Sequence, residues 1–171
     1  VAYDAAGDQR LLQPARQHDQ LPATIPQPPF FDPGADDAIN YGGIGAVIGH
    51  EASHGFDDEG SQFDGAGNNK DWWTRTDREK FDARTAKLVA QFNDYAPIKD
   101  KSDAHVNGML TLSENIGGLG GLNAAYDALQ TVLKQHPGEA EQKIDSHTRD
   151  QRFFLSWARG IYRHRFTMSR R

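Results

Sequence analysis

The stretch Asp36-Asp37-Ala38-Ile39-Asn40-Tyr41-Gly42-Gly43-Ile44-Gly45-Ala46-Val47-Ile48-Gly49-His50-Glu51-Ala52-Ser53-His54-Gly55 decides how this chain reads. An acidic start followed by apolar residues at helical spacing predicts a helix from about Asp36 to His54 or Gly55. On such a helix His50 and His54, four residues apart, share one face and can hold one metal ion between them. Neutral imidazole suits zinc, at bond lengths of about 2.0–2.1 Å. Glu51 lies beside the pair, within reach of a water at an open coordination position, where a carboxylate serves as a general base. A third protein ligand must come from elsewhere in the chain. The bland alternative is an ordinary pair of core or surface histidines.

Gly42, Gly43, Gly45 and Gly49 would each weaken an isolated helix by roughly 1 kcal/mol relative to alanine. The expectation is therefore a buried helix whose glycines let neighbours approach closely.

Composition narrows the classes. Ile, Leu, Val and Phe make up 33 of 171 residues, at the poor edge of globular usage. That points to one domain with a thin core that expects further covering. The net charge of −5 gives no general attraction to nucleic acid or to an acidic membrane surface, and no nucleic-acid motif is present. Arg159, Arg163, Arg165, Arg170 and Arg171 form a local basic cluster, read as a solvated face or an interdomain contact. There is no cysteine, hence no disulfide framework. No run of about 18 apolar residues offers a membrane span, and Val1 opens no recognisable signal peptide.

Residues 1–35 are rich in Gln and Pro and read as an extended or poorly ordered arm, closing onto the domain through Phe30 and Phe31. Residues 36–171 read as the folded domain. Residues 56–69 have loop chemistry; Asp57, Asp58 and Asp64 lack the spacing of a calcium loop and serve turns or support of the histidines. Trp72 and Trp73 anchor the start of a helix over about Thr76 to Tyr95, with Phe81, Leu88, Phe92 and Tyr95 on its apolar face. His105 falls in the connector beyond Pro97 and reads as a polar loop residue. Thr111 is a candidate N-cap for the next helix, with Glu114 in the capping-box position. Glu114 is equally a candidate third metal ligand, brought inward by a packing face of Leu119, Leu122, Tyr126, Leu129 and Leu133. A last helix is expected from about Ala140, with Phe153, Phe154, Trp157 and Ile161 as its stripe.

Several segments together resemble the C-terminal catalytic region of neprilysin-like, M13-family zinc metallopeptidases. They are Leu21-Pro22-Ala23, Gln27-Pro28-Pro29-Phe30-Phe31, Asn40-Tyr41-Gly42-Gly43-Ile44-Gly45, His50 through Asp58, Thr111-Leu112-Ser113-Glu114-Asn115-Ile116 and Phe153-Phe154-Leu155-Ser156-Trp157-Ala158. The resemblance runs from about Leu21 to Arg163. It implies a mainly α fold with a small β-sheet beside the metal helix: a zincin, thermolysin-like catalytic subdomain, here partial. It implies Glu114 as the third ligand of Zn²⁺ beside His50 and His54, Glu51 as the catalytic base, and a peptide substrate. It also implies a secreted, periplasmic or membrane-anchored extracytoplasmic location.

Three departures accompany the resemblance. Where the family carries an Asp that orients the first histidine, this chain has Gly118, with Asp57 or Asp58 as the nearest substitutes by sequence. Val1 precedes Ala2-Tyr3 where the family's substrate strand has Asn. The 171 residues include neither the family's large N-terminal helical portion nor its later His-x-Pro segment, both expected partners of this region. The functional expectation is zinc-dependent hydrolysis of peptides or small polypeptides, weakened by these losses. The alternative is an inactive, zinc-stabilised peptidase fragment that acts as a binding or interaction domain.

Overall fold

The structure is a computed structural model; it describes residues 11–13, 18–20, 25–98, 103–136, 138 and 142–168, with side chains left out for the two strands and beyond 161. The described residues are mainly helical. Strand pairing amounts to one antiparallel ladder, β1 (Leu11–Gln13) with β2 (His18–Gln20), in the register Leu11 to Gln20, and isolated bridges at Phe63–Asn69 and Ile144–His147. Nothing larger is present among the described residues, and the ladder lies alongside the helix that carries His50 and His54.

That helix is one continuous rod made of α1 (Asp37–Asn40), a π turn (Tyr41–Gly45), α2 (Ala46–Ser53) and a closing 3₁₀ turn (His54–Phe56). Asp36 caps it, its side chain accepting from the Ala38 N–H at 3.0 Å. The wider π turn sits where the arm touches the rod: Ile44 donates its N–H to the Phe30 carbonyl at 2.8 Å.

Among the described residues, three further long helices complete the frame. α3 (Arg75–Asn93) is capped by Thr74, whose hydroxyl accepts from the Asp77 N–H at 3.1 Å. α4 runs Leu112–Gln135 and α5 runs Arg149–Met168. The expectation that the last helix begins near Ala140 is corrected. Residues 142–148 form a bridged turn, and Thr148 with Gln151 makes the reciprocal cap that starts α5.

The core lies where α1, the π turn and α2 meet α4 and α5. Ala38, Ala46, Ala125, Leu129, Leu133 and Phe153 are buried there, with Tyr41, Leu122, Tyr126 and Trp157 packed around them. The buried positions of α4 are Leu112, Gly117, Gly121, Ala125, Leu129 and Leu133. From 117 onward this is an unbroken four-residue repeat, small at the α2 end and large at the other. The expected face needs correcting at Leu119, which is 54% exposed, and the expected stripe of α5 at Phe154, which is half exposed and stacks on Tyr126.

The small residues set how close the rod comes to α4. A Cβ at Gly49 would stand 2.8 Å from the Gly121 Cα and carbonyl oxygen, and one at Gly121 would collide with the backbone of His50 and Ala46. Backbone therefore lies directly on backbone at this crossing. α5 is fastened to the rod by polar groups as well: Arg152 Nε donates to Asp36 Oδ2 at 3.0 Å, and the Ser156 hydroxyl donates to the Ile39 carbonyl at 2.7 Å. Arg152 also reaches the His147 carbonyl at 2.7 Å. Of the basic cluster noted above, Arg159 is exposed, and the side chains of the others lie outside the described residues.

Candidate metal centre

His50 and His54 occupy the last turn of α2 and the 3₁₀ turn that follows it, both half-buried. Their Nε2 atoms lie 3.1 Å apart. Glu114, in the first turn of α4, reaches across with Oε2 at 3.3 Å from His50 Nε2 and Oε1 at 3.9 Å from His54 Nε2. Tetrahedral bonds of about 2.0–2.2 Å would set neighbouring donors about 3.3–3.6 Å apart, and the observed separations bracket that range. The donor set is also the right chemistry for zinc: two imidazoles and one carboxylate, with His50 and Glu114 bordering open space and the Glu114 side chain 71% accessible. Among the described residues these three form the one His/Cys/Asp/Glu group close enough to share an ion.

The second histidine is fixed from behind. His54 Nδ1 donates to Asp57 Oδ2 at 2.8 Å, while Asp57 Oδ1 accepts from the Glu59 and Gly60 N–H groups at 2.8 and 2.7 Å. Asp57 is 2% exposed, so both its oxygens are committed, and the proton it holds on Nδ1 leaves the Nε2 lone pair facing the site. The Asp57 hydrogen bond is the main reason the His54 pKa is raised; burial opposes it, and the charges of Glu114, Asp57 and Glu51 add to it.

The first histidine is held differently. The suggestion that Asp57 or Asp58 takes over its orientation is corrected: Asp57 serves His54, and Asp58 Oδ1 accepts instead from the Ser113 hydroxyl at 2.8 Å. Among the described residues no carboxylate pairs with His50 Nδ1. The His50 ring instead packs on bare backbone, with its Nδ1 and Cε1 3.0 Å from where a Cβ of Gly117 would be, while open space surrounds the Cβ position of Gly118.

Glu51 is 3% exposed in the same turn of α2, and its charge acts on His54. The capping-box reading of Glu114 is corrected. Thr111 holds the N-cap position of α4 but makes no capping bond through its side chain. Its hydroxyl donates to the Asn107 carbonyl and accepts from Asn115 Nδ2, and Glu114 is turned to the histidines. His105 stays away from this chemistry, its Nδ1 donating to the Asn93 carbonyl at the end of α3.

A cleft of about 560 Å³ adjoins the triad. His50, Glu114 and Gly118 form part of its wall; Val47, Leu122, Trp157 and Ile161 make most of the remainder apolar. Ligand sites usually span about 300–1,000 Å³. The family resemblance carries an expectation of an open cleft, but not of the residues that frame it, because its walls come from the arm, the rod, α3, α4 and α5.

Two imidazoles at i and i+4 on one helix, closed by a carboxylate from a second helix, make the donor set of a catalytic zinc centre. The chain belongs to peptidase family M13: the family model matches residues 12–171. It is 45% identical over 151 residues to neprilysin-1 of Caenorhabditis elegans, covering 86% of this chain and 20% of that protein. It is 41% identical over 145 residues to endothelin-converting enzyme 1 of Bos taurus, covering 85% of this chain and 19% of that protein. Among solved structures it resembles the Mycobacterium tuberculosis zinc metalloprotease ZMP1 in complex with an inhibitor, at 50% identity and a TM-score of 0.81, over 88% of this chain and 23% of that one. The chain thus spans about a fifth of the length of the relatives it matches. No described helix is long and apolar enough to cross a membrane.

Proposed function

We propose that this chain carries the catalytic centre of a zinc metallopeptidase, built as a thermolysin-like subdomain, and hydrolyses peptide bonds in peptides or small polypeptides. The observation that carries the reading is the convergence of Glu114 on His50 and His54 from a different helix. His50, His54 and Glu114 hold Zn²⁺. When bound, zinc supplies Lewis acidity toward the scissile carbonyl and lowers the pKa of water. Glu51 accepts the proton of the attacking water and returns it to the leaving amine. Its burial in α2 keeps it close to the ligands and away from bulk solvent. Asp57 holds His54 in the tautomer the centre needs. The apolar cleft beside His50 and Glu114 suits a hydrophobic side chain of the substrate.

A second reading is favoured by Gly118 and the lack of a described carboxylate on His50 Nδ1. In it the same zinc site stabilises a peptide-binding domain that turns substrate over poorly, since losing such support costs about 10- to 100-fold in metal affinity or activity.

The two readings separate on a mixture of unstructured peptides incubated with zinc and either the unaltered protein or Glu51→Gln. The hydrolase reading expects cleavage that a chelator abolishes and that Glu51→Gln lowers by about 100-fold or more, with zinc still bound one to one. Equal, chelator-insensitive cleavage by both proteins overturns it. Stoichiometric zinc with no cleavage establishes the binding reading.

A further inference from the structure

Asp57 and Asp58 are adjacent in sequence, yet their side chains serve different ligand-bearing elements. Asp57 grips the His54 ring, and Asp58 Oδ1 accepts from the Ser113 hydroxyl at 2.8 Å, across 55 positions of sequence. Ser113 is the residue immediately before Glu114, in a first turn of α4 that Thr111 leaves without a side-chain cap. Asp58 is itself steadied, its carbonyl accepting from Gln62 Nε2 at 3.0 Å. Glu114, by contrast, is the most exposed member of the triad. The first turn of α4 has no side-chain cap, so its backbone has fraying freedom that zinc binding would have to remove.

We propose that the Ser113–Asp58 hydrogen bond is a latch that positions Glu114 for the metal, so that consecutive carboxylates tie two of the three ligands into one frame. Resting on the zinc reading above, this assigns Ser113 and Asp58 as positioning residues; neither is a ligand. The bond joins a hydroxyl to an ionised carboxylate, the stronger kind of hydrogen bond, and it is half-buried. The crossing at Gly49 and Gly121 sets the distance between the helices. The latch sets the direction in which the first turn of α4 faces.

The test compares the unaltered protein with Ser113→Ala, Asp58→Ala, the double variant and Ser113→Thr. Zinc affinity is read by competition with a chromophoric chelator, and site geometry by the visible spectrum of the cobalt-substituted proteins. Thermal unfolding of the zinc-free proteins runs alongside. Each single removal is expected to weaken zinc by about tenfold and to reduce the tetrahedral cobalt bands. The double variant is expected to be no weaker than the worse single one, because both remove the same bond. Ser113→Thr, which keeps the hydroxyl, is expected to restore affinity. Thr131→Ala, which deletes a comparable hydroxyl bond to the Asp127 carbonyl far along α4, is expected to leave zinc affinity unchanged.

Unaltered zinc affinity and spectra in the single variants overturn the latch while leaving the zinc reading intact. So do losses that add in the double variant, or a zinc loss equally produced by Thr131→Ala. An unaltered protein that binds no zinc overturns both.

Discussion

The two flanks of α4 are built in opposite ways. Against α2 it presents Gly117, Gly121 and Ala125, and the helices meet backbone on backbone with His50, His54 and Glu114 at the end of the contact. Against α3 it meets a helix with no fully buried residue, and a groove of about 410 Å³ lined by Phe81, Leu88, Ile116 and Leu119 stays open between the two. Close packing is thus concentrated where His50, His54 and Glu114 converge. The α3 flank rests on half-buried side chains and on local anchors such as Arg78, which donates to the Ser61 hydroxyl and stacks over Trp73. A thin composition is concentrated on one seam, and the other is left with half-buried side chains and an exposed Leu119.

Breaking the tight seam should have the largest effect. Helix propensity alone would make Gly121→Ala stabilising by about 1 kcal/mol. The added methyl, however, meets the backbone of His50, Ala46 and Gly49, none of which can rotate away. Packing should win, with a loss of about 3 kcal/mol or more in denaturant unfolding and loss of zinc binding. A more stable Gly121→Ala protein would mean that the helices do not cross as described.

Next in size is a change that sharpens the same seam. Open space at Gly118 leaves room for a carboxylate, and His50 Nδ1 has none among the described residues. Gly118→Asp should tighten zinc by about 10- to 100-fold, measured by chelator competition. Unchanged affinity would show that the His50 ring is already fixed by its contact with Gly117.

On the loose flank the effects should shrink. Leu88→Ala on α3 removes a half-buried side chain from an open groove, so it should cost only about 1 kcal/mol in chemical denaturation and leave zinc affinity alone. A cost nearer 3 kcal/mol would erase the contrast between the flanks.

The smallest effect concerns pH. The His54 pKa is raised above its ordinary value near 6.5, chiefly by the Asp57 hydrogen bond. In the zinc-free protein that bond to charged imidazole stabilises the fold fully below about pH 6.5, and the benefit is lost as pH rises through the higher folded value. Zinc needs the neutral ring, so its affinity should climb over the same window while zinc-free stability falls. Parallel titrations of both quantities test this, and a common direction would contradict it. In Asp57→Asn the stability change should move down toward the ordinary imidazole range.

Much of the site was legible because its signal is local. A four-residue spacing on a helix places His50 and His54 on one face whatever surrounds them. Glu114 was only half legible, since the same residue fits a capping box, and spacing cannot choose between a cap and a ligand. The start of α5 was misplaced for the converse reason: residues near 140 carry helix-compatible side chains, and the Thr148–Gln151 cap that decides the boundary is a short, weak pattern.

By itself, the sequence determined the helical pair of imidazoles, the acid beside them and the family to which the chain belongs, because periodicity and motif are properties of neighbours along the chain. The tertiary structure alone decided that Glu114 turns to the histidines, that Asp57 serves the second ring and Asp58 serves Ser113, and that α4 has one tight seam and one open one. Those outcomes depend on how close two backbones come. That distance follows from the absence of side chains at Gly49 and Gly121, whose meeting is invisible until the chain is folded.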